Sequence, residues 1–179
     1  NGDIGEDISP NVLKMKGIKQ QLPSPFTGHL RGEIMLFKSD WQQHMSDKKN
    51  PRNAAAGTAK RLDGVGCEHL TVMFYNVVNH KFNEYLDVLK LIKNLGLNTP
   101  NYWNNKSNKV KEHVEQSNAT RHILNYEIDG LVVRVNNETV FEKLGHNNLN
   151  PKGSIAYKFP QVSKITTVRQ IIWQLGLGG

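Results

Sequence analysis

Five short runs of β-branched and aromatic residues divide this 179-residue chain, and they limit the folds that it can adopt. The runs predict five strands, at 30–37, 70–78, 128–135, 155–159 and 165–173. No apolar run approaches the roughly 18 residues that a membrane span needs. Because the runs alternate irregularly with helical and polar segments, we predict an α+β fold with antiparallel sheets and flanking helices.

One segment between these runs has a clear helical period. From 81 to 95, apolar side chains recur every three or four residues, which predicts an amphipathic helix. Gly96 then stands where a C′ cap is expected. Asn53 is predicted to cap a further helix that opens with three alanines, whose free N–H groups would attract an anion. Shorter patterns predict three more helices, at 39–44, 107–116 and 138–144.

The charge balance points to an anionic partner. Lys and Arg number 23 against 16 Asp and Glu, which gives a net charge of +7. An excess of this size suits a nucleic acid or a nucleotide. The single cysteine, Cys67, excludes an internal disulfide and a Cys-rich zinc site, and it fits a reducing cytoplasm, where we expect the protein to be located.

Charged residues interrupt segments that otherwise have the composition of a core. Arg31 and Glu33 share one face of a predicted strand. They could form an ion pair on the surface, or they could contact a ligand. The small residues of 50–57 would allow DNA or another backbone to approach closely, or would simply pack a helix start. Lys158 lies among apolar and small residues, so it must snorkel, pair or meet an anionic ligand.

Asp129 and Arg134 flank the apolar centre of the third predicted strand. An ideal strand would place them on opposite faces, whereas a turn or bulge at Gly130 could bring them together. The pattern alone favours a hairpin turn with an edge arginine. If one sheet gathered these two residues with Glu33 and Lys158, the resulting pocket would hold two acids and two bases. Such a pocket suits a nucleotide and a divalent metal ion.

The order and content of these motifs resemble the adenylation domain of bacterial-type NAD-dependent DNA ligases. The similar segments are G-E-D-I-S at 5–9, L-R-G-E at 30–33, N-P-R-N-A-A-A-G at 50–57, D-G-L-V-V-R-V at 129–135, I-A-Y-K-F-P at 155–160 and Q-L-G at 174–176. The resemblance implies a partial adenylation domain over 1–179 with a covalent nucleotidyltransferase fold of the ATP-grasp-like ligase type. It implies no OB, zinc-finger or BRCT region within the chain.

The resemblance also implies roles for individual residues, with NAD and Mg²⁺ as cofactors. Asp129 and Lys158 would be catalytic, the first supporting a metal ion or the nucleophile and the second contacting the AMP phosphate. The implied nucleotide contacts are Glu33 at the ribose, Tyr75 and Val132 beside the adenine, and Arg134 and Lys158. The implied DNA contacts are Arg52, Arg121 and Lys60, although Arg121 could serve the nucleotide instead.

The family's nucleophilic lysine lies in a K-x-D-G motif upstream of the G-E-D segment, and no K-x-D-G occurs in this sequence. We therefore expect a domain truncated before its first segment and inactive when isolated. Its parent would act as a monomer on nicked duplex DNA, through lysyl-AMP and DNA-adenylate intermediates. Two alternatives remain open: a nucleic-acid-binding module that has lost catalysis, and an ATP-dependent nucleotidyltransferase.

Overall fold

The computed structural model describes residues 5–148, 150–160 and 165–173. Its helices are α1 (Ser9–Val12), α2 (Lys38–His44), α3 (Pro51–Ala59), α4 (Tyr85–Asn94), α5 (Val110–Thr120) and α6 (Glu138–Leu144). Its strands are β1 (His29–Met35), β2 (Thr71–Val78), β3 (Gly130–Arg134), β4 (His146–Asn147), β5 (Asn150–Pro151) and β6 (Ser154–Lys158). Short 3₁₀ turns occur at Cys67–His69, Ser107–Lys109 and Arg121–Ile123. No helix in these described ranges is long and apolar enough to cross a membrane.

The described strands pair two by two, and every pair is antiparallel. β1 pairs with β2, β3 with β6, and β4 with β5. The prediction of mixed helices and antiparallel sheets is therefore confirmed. The register of the first sheet shifts where Arg31 faces Asn76 and Gly32 faces Phe74, so Tyr75 is the extra residue of a bulge in β2.

The predicted strand at 165–173 is wrong. These nine residues form neither a strand nor a helix, although their composition favours a strand. A strand needs a neighbour to accept and donate its backbone hydrogen bonds, and no strand in the described part of the chain pairs with this segment. Its apolar side chains consequently lie exposed, with Trp173 the largest of them.

α4 begins later than its periodicity predicts. Residues 81–84 are not helical, although Phe82 still packs against the core. The helix starts at Tyr85, whose N–H donates to the carbonyl of Asn136 at 2.8 Å. The Asn136 side chain accepts from the N–H of Leu86 at 3.0 Å. A residue about fifty positions away thus fixes the first turn, in the manner of an N-cap.

α4 ends as the sequence predicts. Gly96 has a φ of 71°, a conformation in which a side chain would be strained. Its N–H donates to the carbonyl of Lys93, and the N–H of Leu97 donates to the carbonyl of Ile92. This pair of bonds is a Schellman motif, which satisfies the last carbonyls of the helix.

The predicted cap of α3 is wrong by three residues. Asn50, not Asn53, is the N-cap, and its side-chain oxygen accepts from the N–H of Asn53 at 2.8 Å. Pro51 takes the first helical position, where a missing N–H costs nothing. Asn53 therefore belongs to the first turn itself.

The core consists of two clusters. The first lies beneath α2, α3 and β1 and includes Leu36, Cys67 and Leu70. The second lies between β2 and α4 and includes Ile92 and Leu95. The β3–β6 sheet is less covered, because large apolar side chains on its two strands remain exposed. This open sheet contains the charged segments around Lys158 and Arg134 that the sequence singled out, and Asp129 directly precedes it.

Candidate nucleotide and nucleic-acid site

The end of the β3–β6 sheet brings Asp129 and Lys158 together. Lys158 lies opposite Gly130 in the antiparallel register. The next residue, Phe159, donates its N–H to the carbonyl of Asp129 at 2.7 Å. The two residues predicted to be catalytic are therefore backbone neighbours, although 29 positions separate them in the sequence.

Arg52 reaches this end of the sheet from the first turn of α3. Its guanidinium Nη1 lies 3.8 Å from Oδ2 of Asp129, and the two side chains are 78% and 74% exposed. An exposed ion pair at this distance stabilises the fold little. The Arg52 guanidinium can therefore exchange the Asp129 carboxylate for another anion.

Arg121 reaches the same end of the sheet from the 3₁₀ turn after α5. Its guanidinium donates to the carbonyl of Pro160 at 3.2 Å and lies 5.4 Å from the ring centroid of Phe159. The Phe159 ring is buried. Arg121 therefore contacts the two residues that follow Lys158, which the family resemblance places at the nucleotide.

The exposed face of the sheet combines a cation with small residues. Val132 lies opposite Ala156, and alternation places both on the same face as Lys158. Gly130 adds no side chain there, and a Cβ at this position would overlap the carbonyl oxygen of Tyr157. Within the described residues Lys158 makes no ion pair, so its ammonium is available to an anion from solution.

Arg134 lies at the other end of β3 and is packed inside the protein. Its guanidinium is 3.6 Å from the ring centroid of Phe141 and 4.4 Å from that of Tyr85. It also pairs with Glu138, and its side chain is only 21% exposed. The hypothesis that a turn at Gly130 joins Asp129 to Arg134 is wrong, because β3 is regular and each residue has a different partner.

Glu33 and Tyr75 belong to the β1–β2 sheet, so the hypothesis of one sheet carrying all four charged residues is also wrong. Glu33 is exposed and lies opposite Met73. Tyr75 is half-buried, and its carbonyl accepts from the hydroxyl of Tyr85 at 2.6 Å. Since Tyr85 also contacts Arg134, it links the two sheets. Burial raises the pKa of Tyr85, and the nearby Arg134 charge opposes this shift.

Lys60 lies at the opposite end of α3 from Arg52. Its ammonium is 2.9 Å from Oε2 of Glu6, and both side chains are largely exposed. Lys60 is therefore separated from Arg52 by the length of the helix. Its role at DNA remains a prediction.

Lys38 supports the site and was missed in the sequence analysis. Its ammonium donates to the carbonyl of Leu124 at 2.7 Å, and its N–H donates to the carbonyl of Asn125 at 2.7 Å. The next residue, Ser39, donates its N–H to the Asn125 side chain at 3.0 Å. These bonds hold the segment before Asp129 against the start of α2. No local pattern could predict them, because the partners are 86 residues apart.

A sheet end with two arginines, a carboxylate and a lysine that makes no ion pair to any residue the structure describes has the composition of a phosphate-binding site, as in proteins that transfer nucleotides. Residues 1–162 match the family model described as the NAD-dependent DNA ligase adenylation domain. The chain belongs to this family. The match confirms the resemblance derived from the motifs, and it favours the NAD-dependent class over the ATP-dependent alternative.

Curated relatives support this assignment over the whole chain. A DNA ligase of Sorangium cellulosum is 40% identical over 181 residues, which cover 100% of this chain and 27% of the relative. DNA ligases of Oenococcus oeni and Mesoplasma florum are 36% and 34% identical, with 28% and 29% of their lengths covered. The chain therefore spans between a quarter and a third of the length of these relatives.

Proposed function

We propose that this chain forms the nucleotide-contacting and DNA-contacting surface of a monomeric DNA ligase that uses NAD to seal nicks in duplex DNA. The family match supports the ligase class. Four residues from distant segments converge on one end of the β3–β6 sheet, and this convergence is the main support for a binding surface there. These residues are Arg52, Arg121, Asp129 and Lys158.

In this proposal Lys158 binds the adenylate phosphate. Its ammonium has no carboxylate partner within the described residues, and Arg121 adds a second positive charge nearby. Val132, which is 70% exposed, provides an apolar wall for the nucleoside. When bound, NAD supplies the adenylate group, and nicotinamide mononucleotide is the leaving group.

The β1–β2 sheet contributes the remaining nucleotide contacts. Glu33 offers an exposed carboxylate for the ribose hydroxyls, and Tyr75 offers its ring to the adenine. Arg134 acts on this arrangement through Tyr85, since its guanidinium packs on the Tyr85 ring and the Tyr85 hydroxyl binds the Tyr75 carbonyl. Arg134 is thus proposed as a positioning residue.

Asp129 fits the donor set of a Mg²⁺ ion. Mg²⁺ prefers oxygen ligands and usually takes one or two carboxylates together with substrate phosphates and water. Asp129 provides an exposed carboxylate beside the proposed phosphate position, and its ion pair with Arg52 is long. The same carboxylate can alternatively orient the attacking group.

The lysine that accepts AMP is not among these 179 residues, because no K-x-D-G motif occurs in them. Sealing through lysyl-AMP and DNA-adenylate is therefore proposed for the ligase that contains this chain. We expect no covalent label on the chain after incubation with adenylate-labelled NAD and Mg²⁺ and subsequent denaturation. A stable phosphoramidate on any lysine of the chain would contradict this expectation.

The DNA contact is tested by titrating fluorescent nicked duplex at several salt concentrations. Arg52→Ala should weaken binding equally for different DNA sequences, because phosphate contacts carry no sequence information. It should also make the plot of log affinity against log salt shallower by about 0.9. Lys90→Ala is the matched control, since Lys90 is an exposed cation of α4 paired with Asp87. An equal change in the control would contradict a phosphate contact at Arg52.

The nucleotide contact is tested by calorimetry with NAD and with AMP. Lys158→Ala should weaken both ligands, and Arg121→Ala should do the same because Arg121 borders the Lys158 segment. If Arg121→Ala instead changes only the salt dependence of DNA binding, Arg121 contacts DNA. Unchanged affinity of Lys158→Ala for NAD, AMP and nicked DNA would overturn the proposed surface.

A further inference from the structure

Three metal-ligand side chains meet between α2 and the 3₁₀ turn Cys67–His69, outside the surface described above. Asp40 and His44 are separated by one helical turn, so they share a face of the helix. His69 ends the 3₁₀ turn Cys67–His69, which packs beside α2. One nitrogen of each imidazole and one carboxylate oxygen of Asp40 lie within 4.8 Å of one another.

The same core anchors both elements that carry the cluster. Trp41 of α2 packs against the first core cluster, and Met45 immediately after the helix is buried in it. Cys67 and Leu70, on either side of His69, are both fully buried. Buried neighbours on both sides keep the backbones at a fixed separation, which a metal site requires of its supporting elements.

The two imidazoles stack closely in the structure. Their centroids are 3.8 Å apart and their planes differ by 12°. An imidazole binds a metal ion in its own plane, so one stacked ring must turn to meet the ion bound by the other. His44 is exposed and has room to turn. Tetrahedral ligands at about 2.1 Å from zinc lie about 3.4 Å apart, so the cluster must contract by an ångström or so.

The surrounding charges favour a cation. Glu68 adds a second carboxylate, with its Oε1 at 3.7 Å from Nε2 of His69. The ammonium of Lys16 contacts Oδ1 of Asp40 at 2.7 Å, and the Lys16 side chain is 47% exposed. Because Lys16 can move into solvent, a divalent cation can replace it on the carboxylate. Lys16 is therefore a competitor of the ion.

We propose that Asp40, His44 and His69 bind a divalent transition-metal ion of the zinc class. Two imidazoles with one carboxylate are ligands of Zn²⁺, Co²⁺ and Ni²⁺, whereas Mg²⁺ prefers an all-oxygen environment. Water or Glu68 completes the coordination. The bound ion joins α2 to the Cys67–His69 turn and so stabilises the fold on the side that leads into α3. This site is independent of the nucleotide surface.

The test is calorimetric titration of the 179-residue chain with Zn²⁺, and separately with Mg²⁺. We expect one Zn²⁺ per chain and no saturable Mg²⁺ binding at this cluster. His44→Ala and His69→Ala should each weaken Zn²⁺ binding at least about tenfold, the loss that even outer-shell substitutions produce. His146→Ala is the matched control, because His146 is an exposed histidine of β4, and it should bind Zn²⁺ as the original chain does. Circular dichroism checks that each variant is folded.

Lys16→Met distinguishes Zn²⁺ binding at Asp40, His44 and His69 from binding to other histidines of the chain. Removing the competing ammonium should tighten Zn²⁺ binding, whereas the same substitution has no effect if the ion binds elsewhere. The proposal is overturned if the chain shows no saturable Zn²⁺ binding. It is equally overturned if His146→Ala loses as much affinity as His44→Ala, or if Lys16→Met fails to tighten binding.

Discussion

The backbone of β6 leaves no room for a side chain at Gly130 of β3. A methyl group at this position would overlap the carbonyl oxygen of Tyr157 and lie 2.9 Å from Cα of Lys158. Both contacts are with backbone, which cannot rotate away. Gly130→Ala should therefore lower the free energy of unfolding by about 1–3 kcal/mol or more, measured by urea denaturation.

Gly57→Ala is the matched control for this substitution. Gly57 lies inside α3, and a Cβ there would have no heavy atom within 4 Å. Because glycine weakens a helix interior, alanine should raise the free energy of unfolding by about 0.5–1 kcal/mol. Equal stabilities of the two variants would mean that the close approach at Gly130 is not rigid.

The sequence indicated which residues carry charge in apolar segments, but not their surroundings. The segment I-A-Y-K-F-P left Lys158 to snorkel, to pair or to meet an anion; its side chain is exposed on β6, and its role at a phosphate stays a prediction. Nothing near Arg134 in the sequence indicated that Phe141 and Tyr85 would sandwich its guanidinium. No sequence motif indicated the cluster of Asp40, His44 and His69 either, because the approach of His69 to α2 depends on tertiary packing.

At the scale of elements, the start of α3 offers a direct comparison between two asparagines. Asn50→Ala removes the side-chain oxygen that accepts from the N–H of Asn53, so it should cost about 1 kcal/mol of unfolding free energy. Asn53→Ala changes an exposed side chain inside the first turn and should stay within about 0.5 kcal/mol of the original chain. Thermal and urea unfolding of both variants measure the difference. A larger loss for Asn53→Ala would restore the cap predicted from the sequence.

Elements with a local signal were predicted best. The helix at 138–144 has the predicted bounds, and the end of α4 at Gly96 follows from local backbone geometry. The start of α4 was missed because Asn136, far along the chain, provides its cap. The segment 165–173 was misassigned because composition alone cannot supply a pairing partner.

At the scale of the whole molecule, the buried thiol of Cys67 makes the free energy of unfolding depend on pH in the alkaline range. Burial raises the pKa of Cys67 above its ordinary value of 9.0. As the pH rises past this value, the unfolded chain loses the thiol proton first, which favours unfolding. The stabilisation is therefore complete below about pH 9 and is lost as the pH rises through the folded-state pKa.

Cys67→Ser isolates this contribution, since a hydroxyl does not titrate in the range and can still donate to the carbonyl of Thr58, which the thiol contacts at 3.4 Å. Unfolding free energies measured by urea titration from about pH 8 to pH 11 should fall less steeply in the variant. Parallel curves for the two proteins would rule out the thiol as a source of alkaline instability.

The hydrogen bonds from Lys38 and Ser39 to Asn125 limit the order in which parts of the chain can fold during translation. During synthesis a chain emerges from its N-terminus at about 5–20 residues per second. The strands β1 and β2 can pair once residue 78 has emerged, but Lys38 and Ser39 must wait until Asn125 has emerged. The backbone that carries Asp129 follows Asn125 directly and pairs with β6, so this end of the sheet is completed only after Lys158 and Phe159 have emerged.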